Sequence, residues 1–300
     1  MAQMDADFDH LQGFVLPDAG VRGALVRLDA SWREVASRAD YPPPLRAMLG
    51  ECLAAVALMT ANIKFSGSLS LELKSAGTPG LLFAECSDRG TLRGLARWDV
   101  TQQVADNVDL SRLPDAVLAI TIGQADGHRH QGLVALEGAT PAAVLGHYFE
   151  TSEQLPTRFV LAADGDQAAG LMLQRLPGAG SQPTVDADGW NRVGHLAATL
   201  GAEELLATAP LELIHRLFHE ESPQVFTPRP LAFGCACSRQ RVMAVLQSLG
   251  ADEVEAARVA SGGTVEVNCE FCAQRYTFDS VDIGHLFAAA GDDAPSTRLH

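Results

Sequence analysis

The sequence predicts an α+β fold in three parts: a sheet-rich N-terminal α+β domain over residues 1–177, a helical connector over 178–230, and a small cysteine-rich C-terminal domain over 231–300. Three observations carry this reading. Short stretches in which apolar and polar residues alternate recur through the first part, and a period of two is the signature of strands. A polar, glycine-rich break, GAGSQPTVDADG, occupies 178–189. Four of the six cysteines fall in the last segment.

The elements follow in order. GVRGALVRL at 20–28 reads as a strand. Asp29 or Ser31 can cap a helix running to about Arg38. Pro43 or Pro44 suits the first turn of the next helix, from about Leu45 to Lys64. Its Leu45, Met48, Leu49, Leu53, Val56 and Met59 mix steps of three and four, with small alanines between, which predicts a long, deeply buried helix. Leu69, Leu71 and Leu73 then alternate with polar residues, a half-buried strand. Gly77 to Gly80 makes a turn. Further strands are predicted at Leu81–Cys86, Leu92–Trp98, Val117–Ile122, Gly132–Leu136, Arg158–Ala162 and Leu171–Leu176. Thr140 caps a helix to about Phe149.

Past the break, helical patterns cover about Trp190 to Ala207, interrupted at Gly201, and Leu211 to His219. Pro223, Pro228 and Pro230 close the segment. Neither pattern is apolar all round, so 178–230 reads as a connector packed on another body, without its own core. In the last segment Ser238 caps a helix that Gly250 ends, and Asp252 starts another to about Ala260. Thr264–Val267 and Arg275–Phe278 read as paired strands around a Cys269–Cys272 knuckle, and Ser280 caps a final helix over 281–290.

Charge narrows the function classes. The formal net charge is −15, and acidic residues outnumber basic ones in all three parts. Nothing is built to neutralise phosphates, so nucleic acid is not an expected partner. No run of about 18 apolar residues is present, so no membrane span is expected. The opening MAQMDADFDHLQGF lacks a basic region and a long apolar run, which predicts no signal peptide and a cytoplasmic protein. There thiols stay reduced, and six cysteines point to metal or redox chemistry before structural disulfides.

Cys235-Ala-Cys237 and Cys269-Glu-Phe-Cys272 supply four thiols, the ligand number that Zn²⁺ takes in tetrahedral sites. One zinc per chain, held by Cys235, Cys237, Cys269 and Cys272, is the expectation. It makes the last part a small zinc-binding domain whose folding free energy comes largely from the metal, on the order of 10 kcal/mol or more. Zinc-bound cysteines are thiolates, the species that attacks peroxide or disulfide. Oxidation to sulfenic acid and condensation with a neighbouring thiol gives a disulfide, and oxidised neighbours cannot hold the ion. A Cys-x-Cys disulfide closes a tight, readily reduced loop, which suits a reversible switch. Arg239, Arg241 and Arg275 lie close enough in sequence to offset the negative charge or to be plain surface. Cys52 and Cys86 read as buried, inert thiols, and His215, His219 and His285 as helix-surface residues.

The chain resembles the heat-shock protein 33 family of bacterial redox-regulated holdase chaperones. Cys235-Ala-Cys237-Ser-Arg and Asn268-Cys269-Glu-Phe-Cys272 carry the likeness at the family's spacing. So do Val21-Arg22-Gly23, Asp40-Tyr41-Pro42, the helix ending in Lys64-Phe65-Ser66-Gly67, Arg93 to Arg97, Gln131 to Gly138, Tyr148 to Thr157 and Leu217 to Glu221. The resemblance spans essentially the whole chain. It implies an ATP-independent holdase, inactive when reduced and zinc-bound. Oxidants would produce the pairs Cys235–Cys237 and Cys269–Cys272, release zinc and unfold the C-terminal domain. The oxidised form would hold unfolding client proteins, form a homodimer, and pass clients to ATP-dependent refolding chaperones.

A thiol-disulfide oxidoreductase is the competing class, but its Cys-x-x-Cys normally opens a helix after a strand rather than sitting in a strand-turn-strand knuckle. A zinc-ribbon nucleic-acid module conflicts with the acidic charge of every part. No phosphate-cradling or nucleophile-elbow motif is present, and His128 and His130 read as a solvated hairpin turn, so the expectation is a non-enzyme.

Overall fold

A computed structural model describes residues 9–61, 65–177 and 186–288. The chain divides into two units, Met1–Gly234 and Cys235–His300. In the first, strands β1 (His10–Leu16) and β2 (Val21–Leu28) precede helices α1 (Ala30–Ala36) and α2 (Pro43–Thr60). Strands β3 (Gly67–Lys74), β4 (Leu81–Ser87), β5 (Thr91–Arg97), β6 (Val117–Gln124) and β7 (Arg129–Val134) follow, then α3 (Pro141–Thr151), β8 (Thr157–Ala163) and β9 (Ala168–Arg175). Helices α4 (Gly189–Ala198), α5 (Ala202–Ala207) and α6 (Pro210–Phe218) lead into three two-residue strands, β10 (Gln224–Val225), β11 (Arg229–Pro230) and β12 (Ala232–Phe233).

Two sheets form. One has the order β10-β1-β2-β9-β8, with β11 also on β1, and the other the order β12-β5-β4-β3-β6-β7. Helix α2 packs against strands of both, which explains its composition. Leu49, Leu53, Ala54, Ala55, Val56, Ala57 and Leu58 are all buried because neither side of the helix meets water. Gly50 marks the closest approach: a Cβ there would lie 2.5 Å from the Cβ of Ala163 on β8.

The first sheet buries both faces, and strand alternation sorts its residues. Ala24, Val26 and Leu28 of β2 face α2, while Val21 and Leu25 face away. Met172 of β9 faces α2, and Leu171 and Leu173 face away. The outward set, with Phe14 and Leu16 of β1, is covered by Val193 and Ala197 of α4, Leu205 of α5, and Leu213, Ile214 and Phe218 of α6. Phe14 and Phe218 stack with ring centroids 5.7 Å apart.

The α+β class and its buried central helix match expectation, and three features differ. Strand β1 was not legible, because Gly13 and the buried Gln12 interrupt its apolar pattern. Gln12 belongs inside because its Nε2 donates to the carbonyl of Phe226, 2.5 Å away. The start of α1 is capped by neither Asp29 nor Ser31. The buried Asp9 carboxylate accepts from the amides of Asp29 (2.5 Å), Ala30 (3.0 Å) and Ser31 (2.6 Å). The segment read as a helical connector ends in extended chain, since β10 and β11 pair with β1, and β12, which falls at the start of the part read as the C-terminal domain, runs parallel to β5. Two-residue strands carry no readable period. The expected continuation of α2 to Lys64, most of the glycine-rich break and the end of the final helix lie outside the described residues.

Candidate metal centre

The second unit contains α7 (Arg239–Leu249), α8 (Ala251–Ala260), the hairpin β13 (Val265–Asn268) and β14 (Arg275–Phe278), and α9 (Ser280–Ala288). The Ser238 hydroxyl accepts from the Arg241 amide at 3.2 Å, the expected cap. Leu246, Val254, Val265, Phe278, Ile283 and Leu286 form its buried apolar cluster, a small core for a separate unit.

All four expected cysteines are half-buried and unpaired by disulfides. Their Sγ atoms lie within 4.8 Å of one another. Cys235 Sγ is 3.6 Å from Cys269 Sγ, and Cys237 Sγ is 3.3 Å from Cys272 Sγ. A tetrahedron with Zn–S bonds of about 2.3 Å has sulfur–sulfur edges of about 3.8 Å. The four thiols therefore fit a tetrahedral zinc in number, chemistry and spacing.

Local chain chemistry sets this convergence. The Cys269 amide donates to the Gln274 carbonyl at 2.9 Å, and the Ala273 amide to the Cys269 carbonyl at 2.8 Å, closing the knuckle between β13 and β14. Ala273 takes φ 56° to complete the turn, a left-handed conformation costing about 1–2 kcal/mol for a non-glycine residue. On the other loop, Arg241 Nη1 donates to the Ala236 carbonyl at 2.7 Å and braces the Cys-x-Cys turn.

The other two arginines are engaged elsewhere. Arg239 pairs with Asp282 at 2.8 Å and lies 4.3 Å over the Phe278 ring, and Arg275 pairs with Glu266 at 3.1 Å. Tyr276 on β14 has a role that sequence reasoning missed. Its hydroxyl donates to Cys237 Sγ at 3.2 Å. The available signal was its place four residues past Cys272 on the strand leaving the knuckle. As free thiols the sulfurs differ: the Tyr276 hydroxyl holds Cys237 down at about 7, while burial pushes Cys272 up to about 12.

Cys52 and Cys86 are buried in the first unit, and burial pushes both thiols up, Cys86 to about 11. His215, His219 and His285 are exposed on helices, as expected. His128 lies in the turn between β6 and β7, but His130 belongs to β7 itself. Among the described residues no helix is long and apolar enough to cross a membrane.

The family model described as "Hsp33 protein" matches residues 9–279. The chain is 46% identical over 293 residues to the 33 kDa chaperonin of Ectopseudomonas mendocina, covering 97% of this chain and 99% of that one. It is 43% identical over 293 residues, with the same coverage, to the 33 kDa chaperonin of Pseudomonas aeruginosa. Its fold is similar to the crystal structure of the 33 kDa chaperonin (heat shock protein 33 homolog) of Thermotoga maritima. The TM-score is 0.77 at 22% identity, over 95% of this chain and 99% of that chain.

Proposed function

Since the chain belongs to the Hsp33 family, whose curated relatives are named as chaperonins, we propose that it is a redox-regulated, ATP-independent holdase governed by zinc at Cys235, Cys237, Cys269 and Cys272. The observation that carries this reading is the convergence of those four sulfurs within 4.8 Å. Bound there, zinc would hold the sulfurs as thiolates and tie the small second unit together.

Oxidation of the neighbours Cys235–Cys237 and Cys269–Cys272 removes the ligands, and the second unit then loses its support. The connector leaves its seat in turn. Support for that part comes from what the connector covers. Helices α4 to α6 lie over the outward face of the first sheet, with Phe14, Leu16, Val21, Leu25, Leu171 and Leu173 beneath them. A lifted connector would offer that apolar face to unfolding proteins, each fully buried side chain contributing about 1.5–3 kcal/mol. Exposed apolar surface of this kind also suits a homodimer of the oxidised form and hand-over to ATP-dependent chaperones. The acidic chain and the cytoplasmic, non-enzymatic reading fit the same role.

The test follows zinc release and aggregation of a denaturing substrate protein together during peroxide treatment. Suppression of aggregation should begin only as zinc leaves. Full suppression by reduced, zinc-loaded protein would overturn the switch.

A further inference from the structure

Helix α6 ends in two histidines that stand apart from the cysteine cluster. His215 and His219 are one helical turn from each other, so they stand one above the other on a single face. Leu213, Ile214 and Phe218 turn inward beneath the helix, while both histidines are exposed. Their rings are inclined by 24°, with centroids 5.5 Å apart. Two imidazoles on one ion, with metal–nitrogen bonds of about 2.1 Å, have ring centres about 5 Å apart.

Local chemistry prepares His219 as a ligand. Its Nδ1 lies 3.1 Å from the His215 carbonyl oxygen. A carbonyl only accepts, so in the neutral ring Nδ1 carries the proton and Nε2 keeps the lone pair. A carbonyl bonded to the far nitrogen is the common support of a metal-bound histidine. The exposed Glu220 carboxylate is 4.0 Å from that Nε2, near enough to close on the same ion. His219 also closes α6 at its carboxyl end, where the helix dipole favours a cation. Arg216, the cation next to His215 in sequence, is paired with Glu204 at 2.9 Å.

We propose that His215 and His219, with Glu220, form a chelating site for a divalent transition ion of the imidazole-preferring class, such as Zn²⁺, Ni²⁺ or Cu²⁺, and that the ion staples the last turn of α6. The site lies in the first unit, and the inference does not depend on the redox reading above. Both imidazoles face one ion only while 215–219 is helical, so binding favours the helix over its melted form. Phe218 lies within that turn and stacks on Phe14 of β1, so the ion holds the end of α6 on the sheet.

The test adds Ni²⁺ to the full-length, untagged, reduced protein after one equivalent of zinc has been supplied for the thiols. Hydrogen exchange of the amides of 213–218 should slow as Ni²⁺ rises, by about 100-fold at a free concentration about one hundred times the dissociation constant. His215→Gln and His219→Gln should each abolish the slowing; both side chains are exposed, so the variants should match the unaltered protein without nickel. A second readout needs no variant. Ni²⁺ should shield His215 and His219 from diethyl pyrocarbonate and leave His195 reactive. His195 is also exposed on a helix, with Nδ1 2.7 Å from the Asn191 carbonyl oxygen, but it has Thr199 rather than a histidine one turn later. Unchanged exchange of 213–218 at millimolar Ni²⁺, slowing that survives in His215→Gln, or equal shielding of His195 would overturn the site.

Discussion

Arg192 and Glu221, 29 residues apart, meet in a two-pronged ion pair: Nε to Oε1 at 2.6 Å and Nη2 to Oε2 at 3.0 Å. Arg192 lies on α4 and Glu221 just past α6, so the pair joins α4 to the chain that follows α6. The Glu221 side chain is 5% exposed and that of Arg192 41%. Arg192 Nη1 also bonds Asp186 at 2.6 Å, just before α4.

Arg192→Met keeps the length of the side chain and removes its charge, leaving the Glu221 carboxylate buried alone. The loss should weaken connector docking by about 1.5–3 kcal/mol. Hydrogen exchange of amides in 189–221 should speed up, and reduced protein should suppress aggregation measurably. Adding Glu221→Gln to the same chain should restore part of the protection.

Gly189 sits at the first turn of α4, where a Cβ would lie 2.6 Å from the Cα of Ala19 in the β1–β2 turn. Backbone cannot swing aside as a side-chain tip can. Gly189→Val should push α4 off the sheet at a cost of about 1–3 kcal/mol. Exchange at Val193 and Ala197 should rise, while that of α2 stays slow.

Burial raises the carboxyl of Glu51, on α2, from 4.5 to about 7. The folded state therefore binds this proton more tightly than the unfolded chain. The associated stability is fully present below about pH 4.5 and is lost as pH rises through about 7. Glu51→Gln should flatten that part of the pH–stability profile and gain up to about 3 kcal/mol at pH 8. Urea unfolding followed by tryptophan fluorescence reads this, since Trp32, Trp98 and Trp190 all lie in the first unit.

A strong chelator, or Cys269→Ser, should unfold the second unit selectively, because its apolar cluster is small. Exchange across 239–278 should approach that of an unstructured chain, with the amides of α2 still protected. Retained protection in 239–278 without metal would show that the apolar cluster suffices.

Legibility in the sequence followed the length of the periodic signal. Helix α2 and strands β3 to β6 could be read because apolar residues repeat over enough positions to choose a period. The Ser238 cap and the knuckle were legible because residue type and spacing fix local chemistry within a few bonds. The cap of α1 was not, because its acceptor is Asp9, 20 residues before the amide of Asp29. Strands β10 to β12 were not, because each exists only by pairing with a distant edge.

The sequence by itself determined the α+β class, the buried helix, and the four thiols able to share one metal, since periodicity and ligand spacing are local properties. Only the tertiary structure decided which apolar face helices α4 to α6 cover, that Arg192 clamps Glu221, and that the Tyr276 hydroxyl reaches Cys237 while Arg241 reaches the Ala236 carbonyl. The last two depend on side chains brought together across 29 and 39 positions, and the first on still more distant ones, as Phe14 on Phe218 shows. Folding fixes such meetings through competing partners, and Arg239 and Arg275 show the competition: each lies near the cysteines in sequence and is paired with a carboxylate instead.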